Sequence, residues 1–110
     1  MVDDERDVLE IVLRYLRRHD YLPNGFWEPL SALQEFELDP GRYAMLITDV
    51  NMPGMTGIDL AQEMLKINPS LKVMYMTANP NLKGVSKAKI IRKPFPLEEF
   101  GSKVRELLNN

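Results

Sequence analysis

The sequence contains no cysteine. Disulfides, thiolate nucleophiles and cysteine metal sites are therefore excluded, and a reducing compartment, the cytoplasm, is the expected location. There is one histidine, His19, which cannot build a metal cluster by itself and is read as an exposed helix-end residue. No apolar run approaches the ~20 residues of a membrane span. The amino terminus, "MVDDERD", is acidic, the wrong charge for a secretory signal. Charge of one sign is also scarce in net terms: the balance is −2, which gives no bulk attraction to nucleic acid or to an anionic membrane. Internal repeats, low-complexity tracts and linkers are absent. What remains is a chain of 110 residues, 45% hydrophobic and 27% charged, read as one globular domain over 1–110.

Along the chain, apolar patterns alternate between two periods. Residues 5–18 read as a helix, with Val8, Val12 and Tyr15 on one face and Leu9, Leu13 and Leu16 beside them. Residues 22–26 contain Pro23, so a strand there belongs at an edge. Pro29 opens a second helix, with Leu30, Leu33 and Phe36 expected inward. "YAMLIT" (43–48) is an apolar run of strand length, the mark of a strand covered on both faces. Thr56 is placed to cap a third helix with Asp59 three residues on, with Ile58, Ala61, Met64 and Leu65 as its inner stripe. "LKVMYMT" (71–77) and "KIIR" (89–92) read as further strands, and Pro96 starts a last helix with Leu97, Phe100, Val104 and Leu107 at helical spacing. Trp27 is expected to half-cover the core, and the seven methionines to fill gaps inside it.

Strands alternating with helices imply an α/β fold, a parallel sheet with helices on both faces. In such sheets sites form at the carboxyl ends of the strands. That rule brings together Asp49, Thr77 and Lys93, each closing a strand, with Asp3 and Asp4, where another strand ends. Three adjacent carboxylates cannot all stay ionised without a cation. A hard divalent ion with oxygen ligands suits them, and Mg²⁺ accepts one or two carboxylates plus waters. With the metal and Lys93 the charges balance, and a phosphoryl group is the natural guest. A carboxylate can attack phosphorus to give an acyl phosphate, with the cations stabilising the transferred group.

Four ordered motifs, "VDDE" (2–5), "LITDVNMPGMTG" (46–57), "MTA" (76–78) and "KPF" (93–95), resemble those of response-regulator receiver domains of the chemotaxis-regulator type, the phosphoacceptor half of two-component signalling. The resemblance covers nearly the whole chain. It implies a doubly wound, five-stranded parallel sheet in the flavodoxin-like order 2-1-3-4-5. It implies that Asp49 is phosphorylated by a histidine kinase or phosphotransfer protein. Asp4 would then bind Mg²⁺ directly and Asp3 through water, with Asn51 lending its backbone carbonyl. Thr77 and the Ala78 amide would hold the phosphoryl oxygens, and Lys93 would pair with them. The Lys93–Pro94 bond is expected to be cis. The role implied is that of a switch read by a downstream protein, as a monomer or weak homodimer. It acts neither on nucleic acid directly nor at a membrane, and it is not an enzyme beyond self-catalysed phosphorylation and dephosphorylation.

Blander readings stand beside these. Asp3 and Asp4 are also ordinary charges for a helix start, and Thr77 an ordinary strand residue. Lys93 also ends a basic run of Lys83, Lys87, Lys89 and Arg92, which lacks the interleaved aromatics of a nucleic-acid patch. A haloacid-dehalogenase-type phosphatase would carry a second aspartate where this chain has Asn51. The rival from another class is a receiver-fold interaction module without regulated phosphorylation. Two departures from the receiver pattern motivate it. Only Met1 and Val2 precede the acidic pair, so the first strand is expected to be clipped. The segment 78–88 is 11 residues long, near the crossover minimum of about 10–12, and Pro80 and Gly84 break it, so the fourth helix is expected to be short or missing. Its loss is expected to expose Ile90 and Ile91 and to make 79–88 a switching, partner-binding loop; the alternative is a trimmed segment in which Leu82 and Val85 fold over the gap and output leaves through the first helix. Ile90 also stands where receivers that switch through an aromatic carry one.

Overall fold

The computed structural model describes residues 1–109. Its elements run in the order α1 (Arg6–Arg18), α2 (Pro29–Leu38), β1 (Met45–Asp49), α3 (Gly57–Ile67), β2 (Lys72–Thr77), β3 (Ile90–Arg92) and α4 (Leu97–Leu108), with short 3₁₀ turns at Pro40–Arg42 and Lys87–Lys89. The three strands are parallel and pair in chain order, Met45 opposite Lys72 and Tyr75 opposite Ile90.

Side chains alternate across this sheet, as the two-residue period of a strand requires. Leu46, Val73 and Tyr75 pack with Phe36, Leu60, Ala61 and Met64 of α2 and α3. Ile47, Met74, Met76 and Ile91 pack on the other side with Val12 and Leu16 of α1 and Phe100 and Val104 of α4. Both faces are covered, which is why β1 and β2 read as unbroken apolar runs. Met64, Met74 and Met76 are buried inside these layers, the gap-filling use expected of them. Thr56 caps α3, its hydroxyl accepting from the Asp59 amide at 3.1 Å.

Of the five expected strands, three form among the described residues, in the order β1-β2-β3; where the other two were expected there are only isolated bridges. Val2 bridges Thr48 on one side and Phe26 on the other, both parallel. Four backbone hydrogen bonds fix it: Val2 N to Ile47 O at 2.8 Å, Asp49 N to Val2 O at 2.9 Å, Phe26 N to Met1 O at 2.9 Å and Asp3 N to Phe26 O at 3.0 Å. A ladder needs successive residues on both chains. Neither stretch forms such a ladder; beyond the bridge, the Met1 ammonium donates to Asn24 O at 2.7 Å.

Other details of the sequence reading change. Leu30 points outward, 56% exposed, and Ala32 takes the inner place on α2. Trp27 does not close the core: its ring lies under the Arg6 guanidinium, 4.3 Å from the charge centre, and half of it stays open to solvent. Among the described residues, no α-helix joins β2 to β3; after Thr77 the chain has only the Lys87–Lys89 turn. That loss does not bare the last strand. Ile90 and Ile91 are 6% and 2% exposed. Leu82 and Val85 fold onto the layer that holds Ile90, while Phe100 shares the other layer with Ile91. Two apolar side chains of an irregular segment therefore do the covering.

Candidate functional site

Every carboxyl end of the sheet delivers a polar residue to one place. Asp3 follows the Val2 bridge, Asp49 ends β1, Thr77 ends β2 and Lys93 follows β3. Hydrogen bonds at the strand ends hold these positions: Lys93 N donates to Thr77 O at 2.9 Å and Val50 N to Met76 O at 3.1 Å. The buried Thr48 hydroxyl donates to the Asp49 carbonyl at 2.9 Å, which steadies the end of β1 from within the core.

Asp3, Asp4 and Asp49 each bring a carboxylate oxygen within 4.8 Å of the others. Asp3 and Asp49 are buried, and Asp4 is the most open of the three. Lys93 answers them from across the site. Its Nζ donates to Asp3 Oδ2 at 2.8 Å and to Glu5 Oε1 at 3.1 Å, and lies 3.5 Å from Asp49 Oδ2. One ammonium thus meets three carboxylates, with Asp4 beside them, so negative charge remains uncompensated at the site.

The titration shifts follow from that imbalance. Burial pushes the Asp49 carboxyl up from 3.8 to about 6; Lys93 opposes the rise, and the charges of Asp3 and Asp4 add to it. Burial acts to lower Lys93, but its hydrogen bonds to Asp3 and Glu5, with the charges of Asp3 and Asp49, outweigh burial and raise it. Lys93 therefore stays protonated, and Asp49 holds its proton well above the ordinary carboxylate range.

Thr77 is fully buried, and its hydroxyl accepts from the Asn79 amide at 3.1 Å. Asn51 and Ala78 lie exposed on the loops that leave β1 and β2. The Lys93–Pro94 peptide is cis. Gly57 brings the start of α3 against the site: a Cβ there would collide with the Asp49 carbonyl oxygen, and its amide donates to Val50 O at 2.9 Å.

All seven residues singled out in the sequence therefore lie at the carboxyl edge of the sheet. The reading missed Glu5, Thr48 and Gly57. Glu5 sits inside the "VDDE" motif and Gly57 closes "LITDVNMPGMTG". A carboxylate beside an acidic pair and a hydroxyl in an apolar run are the signals that could have drawn attention. An apolar cavity of about 250 Å³ lies elsewhere, at the amino ends of the strands, between side chains that include Met1, Phe26, Phe36 and Val104.

The response regulator receiver domain model matches residues 1–105. The chain belongs to that family. It is 29% identical over 114 residues to the response regulator receiver protein CpdR of Brucella abortus (strain 2308), covering 98% of this chain and 93% of the relative. It is also 29% identical to the transcriptional regulatory protein TctD of Salmonella typhimurium (strain SL1344), but spans only 50% of that relative. Among solved structures, the response regulator protein TrrA of Thermotoga maritima, in complex with Mg²⁺–BeF, superposes with a TM-score of 0.83 and 27% identity, covering 96% of this chain and 94% of that one. This receiver domain is thus a signalling module of two-component systems and not a conventional enzyme. No helix among the described residues is long and apolar enough to cross a membrane.

Proposed function

We propose that residues 1–110 act as one phosphoacceptor unit, in which Asp49 takes a phosphoryl group from a histidine kinase or phosphotransfer protein. The observation that carries this reading is the meeting of three carboxylates, two of them buried, opposite a single lysine. An Asp49 oxygen attacks phosphorus, the new aspartyl O–P bond forms, and the bond from phosphorus to the donor breaks with the electron pair leaving on the donor. Lys93, 3.5 Å from Asp49, meets the charge on the transferred group. The Thr77 hydroxyl, which holds the Asn79 amide, and the Ala78 amide bind its remaining oxygens.

The acids suit Mg²⁺. All are hard oxygen donors, close enough to share one ion, and Lys93 alone leaves them under-compensated. Asp3, Asp4, Asp49 and the Asn51 carbonyl would hold it. When bound, the ion supplies positive charge for the phosphoryl oxygens. Self-catalysed phosphorylation from small donors, and slow loss of the group, belong to the same site.

The output is a change in protein binding, without direct contact to nucleic acid, from a cytoplasmic monomer or weak homodimer. Segment 79–88 is the responding element, because its Asn79 amide hangs on the Thr77 hydroxyl and no α-helix stiffens it. Melting curves test the metal site. Added Mg²⁺ should raise the melting temperature of the parent, continuing to rise with the logarithm of its concentration above the Kd, and leave Asp49→Ala nearly unmoved. Equal Mg²⁺ stabilisation of both proteins would refute the assignment.

A further inference from the structure

Both hydrogen bonds of the Lys93 ammonium run to the amino-terminal segment: 2.8 Å to Asp3 and 3.1 Å to Glu5, against 3.5 Å to Asp49. The segment is closed on itself, since the Glu5 amide donates to the second oxygen of Asp3 at 2.9 Å. Asp3, Glu5 and Lys93 form a triangle, and the ammonium is held closer to its two acids than to Asp49. The two acids differ in cost of release. Asp3 is fully buried and cannot lose its cation cheaply, whereas the Glu5 side chain is 62% exposed and can return to water.

We propose that Glu5 is a positioning residue that parks the Lys93 ammonium in the unphosphorylated state and releases it when a phosphoryl group arrives on Asp49. This rests on the phosphoacceptor reading. Phosphorylation forms the Asp49 O–P bond and breaks the bond from phosphorus to the donor, the electron pair leaving on the donor, and Lys93 exchanges its Glu5 contact for a phosphoryl oxygen. Glu5 stabilises only the state before that exchange, so it slows entry into the phosphorylated state. An exposed ion pair of this kind sets the expected size, about two- to fivefold in rate.

The test uses the full chain with acetyl phosphate and Mg²⁺, initial rates read by intact mass, and the NMR signal of the Lys93 ammonium without donor. Glu5→Gln removes the charge and leaves at most a weaker, neutral acceptor for Lys93. Glu5→Asp keeps the charge but is one methylene too short to reach. Both variants should phosphorylate about two- to fivefold faster than the parent, and both should move the Lys93 signal toward that of a free lysine. Parent-like rates in both would overturn the proposal. So would a gain in Glu5→Gln alone, which would mark simple repulsion of the incoming anion. If the parent itself takes up no phosphoryl group, the phosphoacceptor reading fails; the Lys93 signal then decides the tether alone, an unmoved signal overturning it.

Discussion

The two crossovers of the sheet make the same connection from different material. From Asp49 to Lys72 the chain uses a capped helix, α3, which buries Leu60, Ala61 and Met64. From Thr77 to Ile90 it uses an irregular segment with one 3₁₀ turn, in which only Leu82 and Val85 reach the core. Yet Asp49 and Lys93 arrive within 3.5 Å of each other. The strand-end hydrogen bonds and the pairing register set the site, and the connection between strands has only to be long enough and to keep water off the sheet. The helical crossover supplies stability. The irregular one supplies a segment with few buried contacts, the kind that opens or rearranges at low cost.

Mutations that load the two crossovers unequally should separate these roles. Leu60, fully buried in α3, should show the largest effect: Leu60→Ala is expected to cost about 3–4 kcal/mol in denaturant unfolding. Leu82→Ala, on the half-buried side of the other crossover, should cost only about 1 kcal/mol. Equal losses would erase the distinction drawn above.

The glycines give a second contrast. At Gly57 an added methyl meets the Asp49 backbone, which cannot step aside, so Gly57→Ala should cost about 2–3 kcal/mol and disturb the site. At Gly84 the space is open and only the φ of +74° resists a side chain, so Gly84→Ala should cost about 1 kcal/mol and leave the site's chemistry intact.

The smallest effect concerns charge. Asp49 titrates near 6 in the folded chain instead of 3.8, so the folded state binds the proton more tightly than the unfolded one. Its contribution is fully present below about pH 4 and is lost as pH rises through 6. Metal-free protein should lose about 1–2 kcal/mol across that window, a figure reduced for solvent screening. Asp49→Asn should flatten this slope, as urea midpoints measured at pH 4 and pH 7 would reveal. An unchanged slope would mean that Asp49 is not the strained carboxylate.

Much of this arrangement could be read from the chain because its signals are local. Thr56 with Asp59, the apolar run before Asp49 and the Pro96 start of α4 each announce themselves within a few residues, and all formed as expected apart from one- or two-residue shifts. The seven site residues followed from the strand-end rule and the receiver resemblance. What escaped was decided by distant contacts. Trp27 was expected against the core, but Arg6 reaches it across the fold. For Ile90 and Ile91 the leading expectation of a bare strand gave way to its alternative, Leu82 and Val85 folding over the gap, with Phe100 in the layer of Ile91. Glu5 gave no periodic signal, since its role depends on a lysine 88 positions away.

The central claim is that the convergence at Asp49 makes it a phosphoacceptor. Incubating the full chain with acetyl phosphate, with and without Mg²⁺, and reading intact mass tests this directly. The account predicts one added phosphoryl group on the parent with Mg²⁺, much less without the metal, and none on Asp49→Asn. Equal modification of Asp49→Asn, or a parent that stays unmodified under conditions where an established receiver reacts, would contradict it.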